Sequence, residues 1–139
     1  MDARAEGRGR TLARWLLAAF YALAGVAHFA FTDAMALIVP AWVPAPRAMV
    51  IATGVAELAG AVGLMTTRFR VAAGWALAAY ALCVWPANVQ HAMMDLGSGT
   101  RLSGWYHYPR LALQPVIVWW ALWSAGIVDW PWRTKLFES

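Results

Sequence analysis

The chain has 139 residues, of which 62% are hydrophobic and 13% charged, with ten tryptophans and a formal net charge of +4. A water-soluble domain of ordinary composition carries about twice that charged fraction, and a chain this short could not hide several long apolar runs in a soluble core. The basic residues stand beside apolar segments rather than along one polar face, which argues against nucleic acid as a partner and for the lipid bilayer.

Residues 1–11 are polar and arginine-rich and read as a cytoplasmic tail. Arg8, Arg10 and Arg14 lead into an apolar run, and Gly25-Val26-Ala27 has the small-x-small pattern of a signal-peptide cleavage site. The run continues through His28 to Phe31, long enough to cross a hydrocarbon core, so it is read as an uncleaved first span over 12–31. Three further spans are predicted over 48–66, 71–93 and 111–130, each near the ~20 residues a crossing helix needs. With no water to satisfy backbone groups, helices are the economical solution, and strand-like alternation is absent. The link Thr67-Arg68-Phe69-Arg70 makes spans 2 and 3 antiparallel neighbours. The whole chain, 1–139, therefore reads as one all-α domain: an integral membrane antiparallel four-helix bundle.

Charge sets its orientation. Arg4, Arg8, Arg10, Arg14, Arg68, Arg70, Arg133 and Lys135 fall on one side, against Arg47, Arg101 and Arg110 on the other. The positive-inside rule places both termini in the cytoplasm, N-in/C-in. Trp15, Trp75, Trp130 and Trp132 then mark the inner interface, and Trp42, Trp85 and Trp105 the outer one. The outer loop 32–47 is apolar but proline-broken and is expected at the interface or over the bundle mouth. The outer loop 94–110, with its aromatic stretch from Trp105 to Tyr108, suits the headgroup region.

Polar groups inside the spans are the candidates for function, because an ionisable side chain at bilayer depth is costly. Glu57 lies near the middle of span 2. It shares a face with Gly54, Gly60 and Ala61, and small residues of this kind let helices approach closely. His28 shares a face with Tyr21 and Gly25 on span 1. Asn88 and His91, three apart, share a face of span 3 just beyond Pro86, and Gln114 lies one turn past Arg110 in span 4. All four spans thus bring polar groups to the outer half. Glu57 is either a proton-exchanging group or hydrogen-bonded glue, and Asn88, Gln90 and Gln114 suit helix–helix bonds. His91 and His107 are expected near water, and Arg110 suits an interfacial anchor. Cys83 stands alone in span 3, which rules out a disulfide framework or thiolate metal site within one chain, and is expected as a small buried apolar side chain.

The order of motifs also resembles a known family. Gly25-Val26-Ala27-His28-Phe29 is followed by Val39-Pro40-Ala41-Trp42-Val43-Pro44, by Gly54-Val55-Ala56-Glu57-Leu58-Ala59-Gly60, by Trp85-Pro86-Ala87-Asn88-Val89-Gln90-His91, and by Arg110-Leu111-Ala112-Leu113-Gln114. Over about residues 12–123 this resembles the DoxX family of small four-helix membrane proteins. The resemblance implies a bacterial inner membrane, a link to membrane redox chemistry, and His28, Glu57, Asn88, Arg110 and Gln114 as family-type polar positions. On that basis the first expected function is an auxiliary or quinone-interacting component of a membrane redox system. Its quinone would sit in an outer polar pocket formed by His28, Glu57, Asn88, His91, Arg110 and Gln114. The alternatives are a non-enzymatic binding or transport protein for a small solute or lipid, as a homodimer, and a structural partner of another membrane complex. A metal or haem held by His28 and His91 would lack a fixed ligand spacing and is not expected.

Overall fold

The computed structural model describes residues 7–99 and 104–131, and their regular structure is entirely helical. Four long helices and one short one follow in order: α1 (Arg8–Ala30), α2 (Thr32–Ala36), α3 (Pro46–Met65), α4 (Arg70–Ser98) and α5 (Gly104–Ser124). Each boundary has a local cause. The Thr32 hydroxyl donates back to His28 O at 2.7 Å, where the chain breaks from α1 into α2. Pro46 occupies the opening turn of α3, where its missing N–H costs nothing. Gly99, with φ at +62°, ends α4 in the left-handed conformation that glycine adopts freely, and its N–H reaches Asp95 O at 3.1 Å.

Small residues set how the long helices pack. A Cβ added at Gly25 would stand 3.0 Å from Gly54 O, and one at Gly54 would stand 2.8 Å from His28 Cβ, so α1 and α3 touch backbone to backbone. Gly60 receives Leu77 and Gly63 receives Ala73 between α3 and α4, while Gly74 receives Ala125 just beyond α5. The buried core of Leu17, Tyr21, Leu64, Leu77 and their alanine neighbours fills the space these contacts enclose. At the arginine-rich end, Trp120 Nε1 donates to Ala13 O at 2.9 Å and Arg14 Nε donates to Ser124 O at 3.0 Å, closing α1 against α5. There the buried guanidinium satisfies a carbonyl at the C-terminal end of α5, where the helix dipole is negative.

The outer surface is apolar. Leu23, Val62, Trp75, Leu82, Met93 and Val116 all face outward, a distribution suited to lipid and not to water. α1, α3 and α4 are long and apolar enough to cross a membrane. α5 is not among them: its 21 residues include His107, Arg110, Gln114, Pro109 and Pro115.

Several boundaries depart from the sequence expectation. α1 already begins at Arg8, so part of the expected tail is helical; residues 1–6 lie outside the described residues. The third run does not stop at residue 93, because α4 continues to Ser98. The expected outer loop 94–110 is instead mostly helix, the end of α4 and the first turns of α5. α5 ends at Ser124, short of residue 130. Hydropathy marks how far a helix stays in lipid, whereas backbone hydrogen bonding decides how far it continues. Cys83 is exposed on the outer surface and not buried as expected. Trp132, Arg133, Lys135, Arg4 and Arg101 lie outside the described residues.

Candidate polar sites between the helices

By their contacts, the polar side chains fall into two clusters, one around Glu57 and one around Arg110 and Asp95. The first joins α1, α3 and α4 around Glu57, which is 5% exposed. Tyr80 OH donates to Glu57 Oε1 at 2.8 Å. His28 Nδ1 lies 2.9 Å from Glu57 Oε2 and 2.8 Å from Ala24 O. Both neighbours of that nitrogen are acceptors when Glu57 is ionised, so Nδ1 then carries the proton and shares it between them. The proton aims mainly at Ala24 O, which leaves Oε2 with an ion-pair contact rather than a well-formed hydrogen bond. The Tyr21 ring stands edge-on to Tyr80, with centroids 6.2 Å apart. Beside the cluster, the Gly25–Gly54 contact brings α1 directly onto α3.

The second cluster lies between α4 and α5. Arg110 Nη2 donates to Asn88 Oδ1 at 2.7 Å, and Arg110 Nη1 lies 3.0 Å from His91 Nδ1. A guanidinium only donates, so His91 Nδ1 is the bare acceptor and Nε2 carries the ring proton. Nε2 lies 3.2 Å from Asp95 Oδ2, one helical turn on. The same carboxylate oxygen lies 3.1 Å from His107 Nε2 on α5. His107 is fully buried, Asp95 is 4% exposed, and His107 Nδ1 has no hydrogen-bond partner among the described residues. The His91 and His107 rings meet edge to face at 5.0 Å, and the Tyr106 ring lies under the Arg110 guanidinium at 5.6 Å. Deeper along the same seam, Gln114 Nε2 donates to Ala81 O at 2.9 Å. Pro86 leaves the next carbonyl, that of Leu82, without its helical donor.

Of the residues singled out in the sequence, His28 and Glu57 meet, and Asn88, His91 and Arg110 meet. Gln114 acts alone as a helix–helix bond, and Gln90 lines an outer groove. His28 and His91 fall in different clusters, each with its own partners. Tyr80, Asp95 and His107 were missed as site residues; His107 was placed near water and is instead buried in full.

Two open grooves mark the outer surface. One, of about 680 Å³, is lined by Leu82, Trp85, Val89 and Met93. The other, of about 710 Å³, is lined by Leu96, Trp105, Tyr108 and Ala112. At 100° per residue, the first lies on the face of α4 opposite Asn88, His91 and Asp95, and the second on the face of α5 opposite His107 and Arg110. Neither groove opens into a polar cluster.

Comparison with known proteins corrects the family expectation. Residues 17–125 match a family described as a domain of unknown function, DUF8561. No curated protein and no solved structure matches the chain. The motifs behind the DoxX resemblance are short runs of Gly, Ala, Pro and Trp with isolated polar residues, a vocabulary common to tightly packed membrane helices in general. The match spans most of the sequence, so the chain belongs to the DUF8561 family and not to the DoxX family.

Proposed function

We propose that this protein is a four-span, N-in/C-in bundle of a cytoplasmic membrane that binds a small polar ligand at the outer ends of α4 and α5, without covalent chemistry of its own. The observation that supports it is the concentration of Asn88, His91, Asp95, His107 and Arg110 in one seam. Joining two helices does not require so many polar groups, since Gln114, Gly74 and the alanine core already hold α4 against α5. Depth agrees with an accessible site. Counting from Arg70, Tyr80 lies ~15 Å and Asp95 ~37 Å along α4, against a hydrocarbon core of ~30 Å. On this topology the Glu57 cluster lies within the core, and the Asp95 cluster at the outer interface.

A quinone draws less support. Its headgroup and tail would need neighbouring places, yet the apolar grooves lie on the far faces of α4 and α5. The redox link also rested on the family resemblance that DUF8561 membership replaces. The Glu57 cluster is better suited to holding α1, α3 and α4 in register.

The test is purification of the full chain in mild detergent, followed by mass spectrometry for bound organic molecules and elemental analysis for bound ions. One species retained in a fixed ratio to protein, and lost from a folded Asp95→Ala variant, is expected. A chain carrying neither, and binding none of the small polar solutes or ions offered to it, would overturn the proposal.

A further inference from the structure

Resting on that reading of the α4–α5 seam, we infer that His91, Asp95 and His107 form a three-ligand site for a divalent transition cation of the zinc class. One donor atom from each of His91, Asp95 and His107 lies within 4.8 Å of the other two. Two of the three edges are 3.2 and 3.1 Å. Metal–nitrogen bonds of about 2.0–2.1 Å at tetrahedral angles require edges of about 3.3 Å, close to both edges that meet at Asp95. Two imidazoles and one carboxylate with a fourth position open is a donor set that zinc accepts.

The spacing also has a cause in the fold. His91 and Asp95 are one turn apart on α4, and His107, in the first turn of α5, faces both. Two imidazole nitrogens thus converge on one oxygen of a carboxylate that is itself buried, a concentration of donor atoms that a cation would neutralise.

Arg110 controls entry to the site. A cation on His91 Nε2 requires the ring proton to move to Nδ1, where it would face the Arg110 N–H groups that now point at it. The guanidinium must therefore withdraw toward Asn88 Oδ1 and the Tyr106 face, which it already touches. Its charge also opposes the ion. The site is thus one whose affinity Arg110 holds down, and removing that charge tightens it.

Cobalt(II) is the probe, added to the full chain in detergent and followed by its visible d–d absorption, with zinc added in competition. One cobalt per chain with a four-coordinate band, displaced by zinc, is expected. Asp95→Asn and His107→Gln should abolish the band. Arg110→Gln should tighten binding by roughly tenfold or more, because a unit charge a few ångströms from the ion is gone. That gain cannot come from misfolding, so the variant keeps the test decisive even where the ligand substitutions unfold the chain. No cobalt band and no zinc binding at millimolar metal, in both the native chain and Arg110→Gln, would overturn the metal site. An organic molecule co-purifying while metal fails would remove the cation and leave the binding role standing. Neither would remove both.

Discussion

Tyr80 OH donates to Glu57 Oε1 across the α3–α4 seam at 2.8 Å, so the buried carboxylate is held by a phenol from the neighbouring helix. With His28 Nδ1 at Oε2, the acid ties three helices together. Interhelical hydrogen bonds in membranes average ~0.6 kcal/mol and reach ~1.7, and a partner on a carboxylate belongs at the upper end. Tyr80→Phe, Glu57→Leu and the double variant, unfolded in mixed micelles, should give a coupling of about 1–2 kcal/mol. Additive single effects would show that the two side chains merely sit side by side.

Gly54 makes a second prediction. Its missing Cβ is what lets α1 rest on α3: a Cβ there would stand 2.8 Å from His28 Cβ and 3.2 Å from Gly25 O. Gly54→Val should cost about 1–3 kcal/mol through overpacking and should also displace His28 from Glu57. Gly97→Ala is the control, because a Cβ at Gly97 meets nothing within 4 Å. Its stability should stay within about 0.5 kcal/mol of the native chain or rise slightly. Equal losses in both variants would mean that glycine acts through the backbone and not through the close approach.

The contrast between these glycines shows what the sequence could reveal. Gly54, Glu57, Gly60 and Ala61 recur at helical spacing inside an uninterrupted apolar run, so their shared inward face was readable from period alone. The structure buries all four. Asp95 and His107 were not readable in the same way. Asp95, Gly97 and Ser98 end the apolar run, and a hydropathy reading therefore ends the helix there, although α4 continues for another turn beyond Met93. Once that turn is helical, His91 and Asp95 share a face, and His107 on α5 packs against them. Tyr80 was hidden for a different reason: its ring reads as part of an apolar run, and its hydroxyl matters only through a partner on another helix. The division into two clusters is likewise a tertiary fact, set by which faces of α4 meet α3 and α5.

Arg14 gives a third prediction, at the opposite end of the helices. Its buried guanidinium donates to Ser124 O, at the last residue of α5. A charge-assisted bond to a helix C-terminus is worth about 1.5–3 kcal/mol, with a favourable contribution from the dipole. Arg14→Met keeps most of the apolar stem and removes the donor. It should lower stability by about 1–3 kcal/mol and raise amide exchange first at Ala121–Ser124. Unchanged exchange there, with stability kept, would show that the stem alone does the packing.

The proposed topology is tested most directly by where introduced thiols can be reached. Cys83 faces outward on α4, so the experiment starts from Cys83→Ser, which removes the native thiol. Ala41, in the turn between α2 and α3, and Gly97, near the C-terminal end of α4, are both exposed at one end of the helices. Thr67, in the turn between α3 and α4, is exposed at the arginine-rich end. The excess of basic residues at that end places it in the cytoplasm. A membrane-impermeant maleimide added to intact cells should therefore label Ala41→Cys and Gly97→Cys but reach Thr67→Cys only after permeabilisation. The reversed pattern would invert the orientation and move the Asp95 cluster to the cytoplasmic side. Labelling of Ala41→Cys and Thr67→Cys from the same side would mean that α3 does not cross. Ala41→Cys and Gly97→Cys on opposite sides would break the pairing of α3 with α4 as successive spans.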